Sequence, residues 1–192
     1  MLLLTILKKQ KLWYNATMQD VIRKILDASF SLISTKPLGM IKAGDIIKTA
    51  GISKGSFYRY FKDKYDCVSA AFIDAYFKGF YEENVTFREA LIAQGKLLWS
   101  NRLVLKNVSV NDSFLLAFSA INDEYRKILR NHILNEQNKN EEIVIKAINY
   151  LSRTLSVTLY LWANDKISLE EARFLTLHFE DFVPACLKQY IL

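Results

Sequence analysis

Asp45-Ile46-Ile47-Lys48-Thr49-Ala50-Gly51-Ile52-Ser53-Lys54-Gly55-Ser56-Phe57-Tyr58-Arg59-Tyr60-Phe61-Lys62-Asp63-Lys64 is the stretch whose reading decides the fold of this chain. Ile46, Ile47 and Ala50 share one face of a short helix expected from about Lys42 to Ala50. Gly51 suits the left-handed residue that closes such a helix. Ser53 is a good N-cap for a new one, and Ile52 can pack under the turn between them. Phe57 and Phe61, spaced i and i+4, give the second helix a buried face. Lys54, Ser56, Tyr58 and Arg59 are left on or near its outward side, with Tyr60 open between contact and packing. Two short helices joined by a tight glycine turn predict a helix-turn-helix.

Upstream, a first helix is expected to start after Asn15 or Thr17 and to run to about Ser34. Thr17 and Asp20 read as its capping box, and Ile22, Ile25, Leu26, Ser29, Leu32 and Ile33 form its inner face. Lys36-Pro37-Leu38-Gly39 breaks it. Residues 18–66 thus read as a three-helix helix-turn-helix domain. Downstream, residues 67–192 read as a larger helical domain. A fourth helix starts at Asp63 and runs toward Tyr81; Thr86 and Glu89 open a fifth, to about Asn101. Periodicity is less clean from Arg102 to Val110. Asn111 or Asp112 can cap a helix carrying Phe114, Phe118, Ile121, Tyr125 and Leu129, and residues 135–140 are a polar break. Glu141 opens a long helix to Trp162, and Ser168 with Glu171 opens a last one, to Leu192, which Pro184 should kink or end. Two prolines and six glycines are few breakers for this length, so the fold class is all-α.

Hydrophobic residues make up 51% of the 192, which argues against disorder. Cys67 and Cys186 form no CxxC pair, and His132 and His178 are too few for a metal cluster; no metal site and no cofactor are expected. The thiols read as small apolar groups in a reducing cytoplasm. Residues 1–17 place an apolar run before Lys8, Lys9 and Lys11, the reverse of a secretory signal. They read as a poorly ordered or weakly helical leader, or as an upstream start ahead of Met18. No run approaches the roughly 18 apolar residues of a membrane span, so a soluble cytoplasmic protein is expected. The formal net charge is +6, and all of the excess lies in the first third, with residues 67–192 near neutrality. That asymmetry is what a footprint for phosphates looks like.

The outward residues of the second helix of the motif have the chemistry for duplex DNA. A helix fits the major groove, and its N-terminus offers free N–H groups to phosphate. Gly55 keeps the first turn slim. Lys54 and Arg59 can bind phosphate, and Arg59 can read guanine through two hydrogen bonds; Ser53, Ser56, Tyr58 and Tyr60 add hydroxyls. Lys42, Lys62 and Lys64 can clamp phosphates beside it. Enzyme signatures are missing: there is no P-loop, dinucleotide fingerprint, HExxH or nucleophile elbow. Glu141-Glu142 and Glu170-Glu171 sit at expected helix starts, where acids are ordinary.

The run Asp45-Ile46-Ile47-x-x-Ala50-Gly51-Ile52-Ser53-Lys54-Gly55-Ser56-Phe57-Tyr58-Arg59-Tyr60-Phe61-x-x-Lys64 closely resembles the DNA-binding signature of the TetR family, and Ile25-Leu26-Asp27-Ala28-Ser29-Phe30 resembles that family's first helix. The resemblance covers about residues 18–70. It implies a homodimeric transcription regulator, a repressor by default, that binds a palindromic operator. It also implies a small-molecule effector or a partner protein bound by the C-terminal domain. Three departures stand out: Lys42 where the family usually has threonine or serine, Ile47 where it has a small residue, and Gly44 inside the second helix. They keep open a helical protein-interaction module or co-regulator with weakened DNA binding. Asn101-Arg102 and Asp112-Ser113-Phe114 resemble a subgroup that includes regulators of dihydroxyacetone utilisation.

In the C-terminal two thirds, Trp99, Phe114, Phe118, Tyr125, Tyr160 and Trp162 are candidate walls of an effector pocket, or plain core. The charge-free run Thr154–Asn164 has no polar side for water and must be buried on more than one side. With the last helix, it is the candidate dimer interface.

Overall fold

The computed structural model describes residues 16–109, 114–134, 138–139 and 141–191. The leader expected over residues 1–17 therefore lies almost wholly outside the described residues, as do Asn111 and Asp112. Among the described residues every regular element is helical. In chain order these are α1 (Ala16–Ile33), α2 (Ala43–Ala50), α3 (Lys54–Tyr60), α4 (Lys64–Phe77), α5 (Phe87–Ser100), α6 (Arg102–Ser109), α7 (Phe114–Ile133), α8 (Glu142–Ala163), α9 (Leu169–Leu177), α10 (Phe179–Phe182) and α11 (Ala185–Ile191). Short 3-10 turns at Leu38–Met40 and Lys78–Tyr81 join them.

The first three helices pack around Ile25, Ile33, Leu38, Ile41, Ile46 and Phe57, all of them fully buried. Helix α4 closes this small core through Cys67, Val68 and Phe72 and carries on into the second domain, where it lies against α7. The Asp63 carboxylate caps α4, accepting the N–H groups of Tyr65 (2.8 Å) and Asp66 (2.9 Å). From Phe77 onward, an aromatic chain of Phe80, Phe87 and Phe179 joins α4, α5 and α10, with Tyr125 of α7 packed edge-on to Phe77. Helices α7 and α8 pack along each other, and α11 seats across both. No described helix is long and apolar enough to cross a membrane.

Three elements differ from expectation. Helix α1 begins at Ala16, so Thr17 lies within it, and Asp20 binds Lys24 one turn on (2.6 Å) instead of closing a capping box. The region from Arg102, where periodicity is unclear, is a regular helix. Its apolar stripe of Val104, Leu105 and Val108 is interrupted by buried Asn107, whose Nδ2 donates to the Ile33 carbonyl at 2.7 Å. The single last helix is three. Pro184 holds Val183 extended (φ −73°, ψ 129°) and separates α11, and a further break falls at His178 (φ −105°, ψ 28°).

Candidate nucleic-acid interface and apolar cavity

Gly51 closes α2 in the left-handed conformation (φ 64°, ψ 36°), and its N–H reaches back to the last turn of that helix. The chain thus turns sharply, and Ser53 starts α3. Ser53 Oγ accepts the Ser56 N–H at 3.1 Å and shares a hydrogen bond with Ser56 Oγ at 2.9 Å. Phe57 lies beneath α3, fully buried, with Phe61 packed on it at 5.9 Å. That anchoring turns Lys54, Gly55, Tyr58 and Arg59 to solvent and leaves Ser56 half-buried. Tyr60 is half-buried and packs on the core. Lys54 Nζ stands 6.0 Å from the Tyr58 ring centre. None of the described ion pairs takes Lys54, Arg59 or Lys62. Their charge is therefore presented to solvent.

The flanking lysines divide. Lys42 is exposed at the N-cap of α2. An ammonium cannot accept, so the first-turn N–H groups gain nothing from its side chain. Instead Asp45 Oδ2 accepts the Lys42 backbone N–H at 2.9 Å. That bond, with the Lys36 ammonium 3.4 Å away, holds the Asp45 carboxyl below its ordinary range. Lys64 is placed otherwise. Its Nζ donates to the carbonyls of Ile41 (2.6 Å), Leu38 (3.1 Å) and Gly39 (3.4 Å), tying α4 to the turn before α2. Lys48, which the sequence reading passed over, is exposed near the end of α2. A lone lysine on a polar helix face gives no signal until the tertiary placement is known.

Residues 25–71 match the profile of the family described as bacterial regulatory proteins, tetR family. That match spans the helix-turn-helix described above and ends within α4. The whole chain is also similar in fold to a crystal structure of a TetR transcriptional regulator from Rhodococcus sp. RHA1. That likeness has a TM-score of 0.61 at 17% identity, over 88% of this chain and 97% of that one. A second similar structure is the dihydroxyacetone kinase operon activator DhaS, with a TM-score of 0.59 at 18% identity, over 90% and 98% of the two chains. Among curated proteins none matches. The TetR-type fold is thus an N-terminal helix-turn-helix domain followed by a helical domain.

Behind the helix-turn-helix domain, the helical domain holds a cavity of about 160 Å³ between α5, α7, α8, α9 and α10. Trp99, Tyr125 and Trp162 come together on its wall. Phe118 is not among the wall residues, and the Phe114 side chain lies outside what is described. Most of the wall is aliphatic or aromatic, with Gln94, Thr154, Thr158 and Thr176 as further polar members. Gly95 lets α5 and α9 approach: a Cβ there would lie 3.0 Å from Thr176 Cγ2 and 3.2 Å from Trp99. Tyr125 is fully buried and donates to Gln94 Oε1 at 2.5 Å; burial pushes its hydroxyl pKa well up, which keeps it protonated. Gln94 leaves no signal of this in sequence, where one glutamine at helical spacing looks like a surface residue.

Proposed function

We propose that this chain is a dimeric, one-component transcription switch, with repression as the default sign. The observation that carries the DNA-reading half is helix α3. It is capped by Ser53, anchored by buried Phe57, and presents Lys54, Tyr58 and Arg59 free of competing carboxylates. Lys42, Ser53, Gly55 and Ser56 border that face, Tyr60 packs behind it, and Lys64 supports it from beneath. Dimerisation would set two such helices about 34–36 Å apart, or a multiple of that, on a palindrome. The similar activator structure makes activation the second reading of sign.

An apolar stripe supports the dimer. Ile143, Tyr150 and Val157 of α8 recur every seven residues and are exposed, beside exposed Phe174 and Leu177 of α9 and Phe182 of α10. Apolar groups so aligned on adjacent helices suit a four-helix interface across a two-fold axis. The cavity is the candidate effector site. Its Trp162 carbonyl accepts from the Arg102 guanidinium (2.9 Å) at the start of α6, and Asn107 of the same helix caps α1. Helix α6 is thus a second physical link, besides α4, between cavity and reading head.

The test is DNA binding by the full chain. Fragments from upstream of its own and neighbouring coding sequences are titrated over about 50–200 mM salt, where affinity for phosphates falls steeply. A palindrome-bearing fragment should compete far better than bulk DNA. If every fragment behaves like bulk DNA, the regulator reading gives way to a helical interaction module.

A further inference from the structure

Two residues of the cavity wall carry a buried hydrogen-bond donor with no partner: Gln94 at its amide nitrogen Nε2 and Trp162 at its indole nitrogen Nε1, both covered by neighbouring atoms. Both side chains are almost fully buried, at 3% and 2% exposure. The Gln94 carbonyl oxygen is already taken by the Tyr125 hydroxyl, which leaves both Nε2 hydrogens free. The threonines offer no further donors, because the hydroxyls of Thr154, Thr158 and Thr176 donate to Tyr150, Thr154 and Ala172 carbonyls of their own helices. No wall residue is an acid, a lysine, an arginine or a histidine. Arg102 lies 5.7 Å from the Trp162 ring and Arg173 lies 5.2 Å from the Trp99 ring, but neither is part of the wall.

Orphaned buried donors are uncommon and leave a standing demand for an acceptor. An anion or cation in this site would lose its hydration without gaining a counter-charge. The volume is close to that of engineered apolar cavities of about 150 Å³ that admit benzene. We infer that the cavity takes a small, uncharged, ring-sized molecule bearing a carbonyl or equivalent acceptor, and that the Gln94 amide and the Trp162 indole shift on binding to donate their unpaired Nε2 and Nε1 hydrogens to it. This rests on the reading of the cavity as an effector site and names the chemistry that the site selects.

Calorimetry on the full chain without DNA tests it with three probes: acetophenone, ethylbenzene and benzoate. Acetophenone should bind at least about tenfold more tightly than ethylbenzene, because ethylbenzene leaves both donors unpaired. Benzoate should give no binding heat. Gln94→Leu should remove most of the preference for acetophenone over ethylbenzene, and Trp162→Phe should reduce it. Benzoate binding as tightly as acetophenone overturns the inference, as does failure of acetophenone to bind. So does a ratio unchanged in both variants. The wild-type comparison needs no variant, so it stands even if a substitution fails to fold. Operator affinity with saturating acetophenone belongs to the effector reading. Gln94-dependent binding with unchanged DNA affinity defeats that reading and leaves the ligand class standing.

Discussion

Lys54, Arg59 and Lys64 are all cations of one short segment, yet their heads meet different partners. Lys54 and Arg59 face solvent, whereas Lys64 serves three backbone carbonyls. The Lys54→Ala, Arg59→Ala double variant should melt like the parent, lose operator affinity and lower the salt slope by about two, one per lost phosphate contact. Lys64→Met should instead lower stability by about 1–3 kcal/mol in urea titration, since it strips donors from part-buried carbonyls. A double variant with full operator affinity would refute the assigned reading face. Cys67 offers a second residue-scale expectation. Its thiol is buried, and despite a 2.9 Å contact with Ser29 Oγ, burial raises its pKa from the ordinary 9.0 to about 12. The thiolate is thus favoured in the unfolded chain. The stability from the protonated folded thiol is complete below pH 9 and is lost as pH rises toward 12. Thermal melts should show a loss on the order of 1 kcal/mol from this group by pH 10, absent in Cys67→Ala.

At the scale of elements, α6 shows how one polar residue both hides and makes a helix contact. Asn107 interrupts the apolar stripe, so no clean period is visible in sequence, yet in the fold it closes the end of α1 at the Ile33 carbonyl. Asn107→Leu keeps the volume and removes the donor. It should cost about 1–3 kcal/mol by chemical denaturation, the penalty of a buried carbonyl left unpaired. The same variant should weaken any effect of a cavity ligand on DNA affinity, because the bond is one of the joints between the domains. Thr86 and Glu89 form a full capping box at the start of α5, with Thr86 Oγ1 accepting from the Glu89 N–H (3.2 Å) and Glu89 Oε2 from the Thr86 N–H (2.9 Å). Thr86→Ala should therefore cost about 1 kcal/mol in the same assay.

At the scale of the molecule, the exposed stripe on α8 to α10 is the proposed surface of assembly. Val157 and Phe174 are 41% and 52% exposed and lie outside the cavity wall, so they can be changed without touching the cavity. Val157→Asp with Phe174→Asp should give a monomer by sedimentation equilibrium, with an unchanged helical spectrum. Binding to a two-half-site operator should drop accordingly, while single half-site contacts persist weakly. A double variant that remains dimeric would place the interface elsewhere. Tyr150 and Phe182 belong both to this stripe and to the cavity wall, so the cavity reaches the face where the proposed second copy would sit.

The sequence alone determined what local chemistry determines. Gly51, Ser53, Phe57 and Phe61 specify a turn, a cap and a buried face by spacing within one segment, and Thr86 to Glu89 and Ser168 to Glu171 mark helix starts the same way. What tertiary structure decided are facts about residues far apart in the chain. Lys64 finds its carbonyls at Leu38 to Ile41, Asn107 reaches Ile33, and Gln94 and Trp162 meet on one cavity wall. A hydrogen-bond partner that far away leaves no periodic trace, so a lysine reads as a phosphate clamp until its ammonium is seen satisfied. The helix-turn-helix was legible because its determinants are contiguous. The cavity and its unpaired donors were not, because they depend on which residues packing brings together from distant parts of the chain.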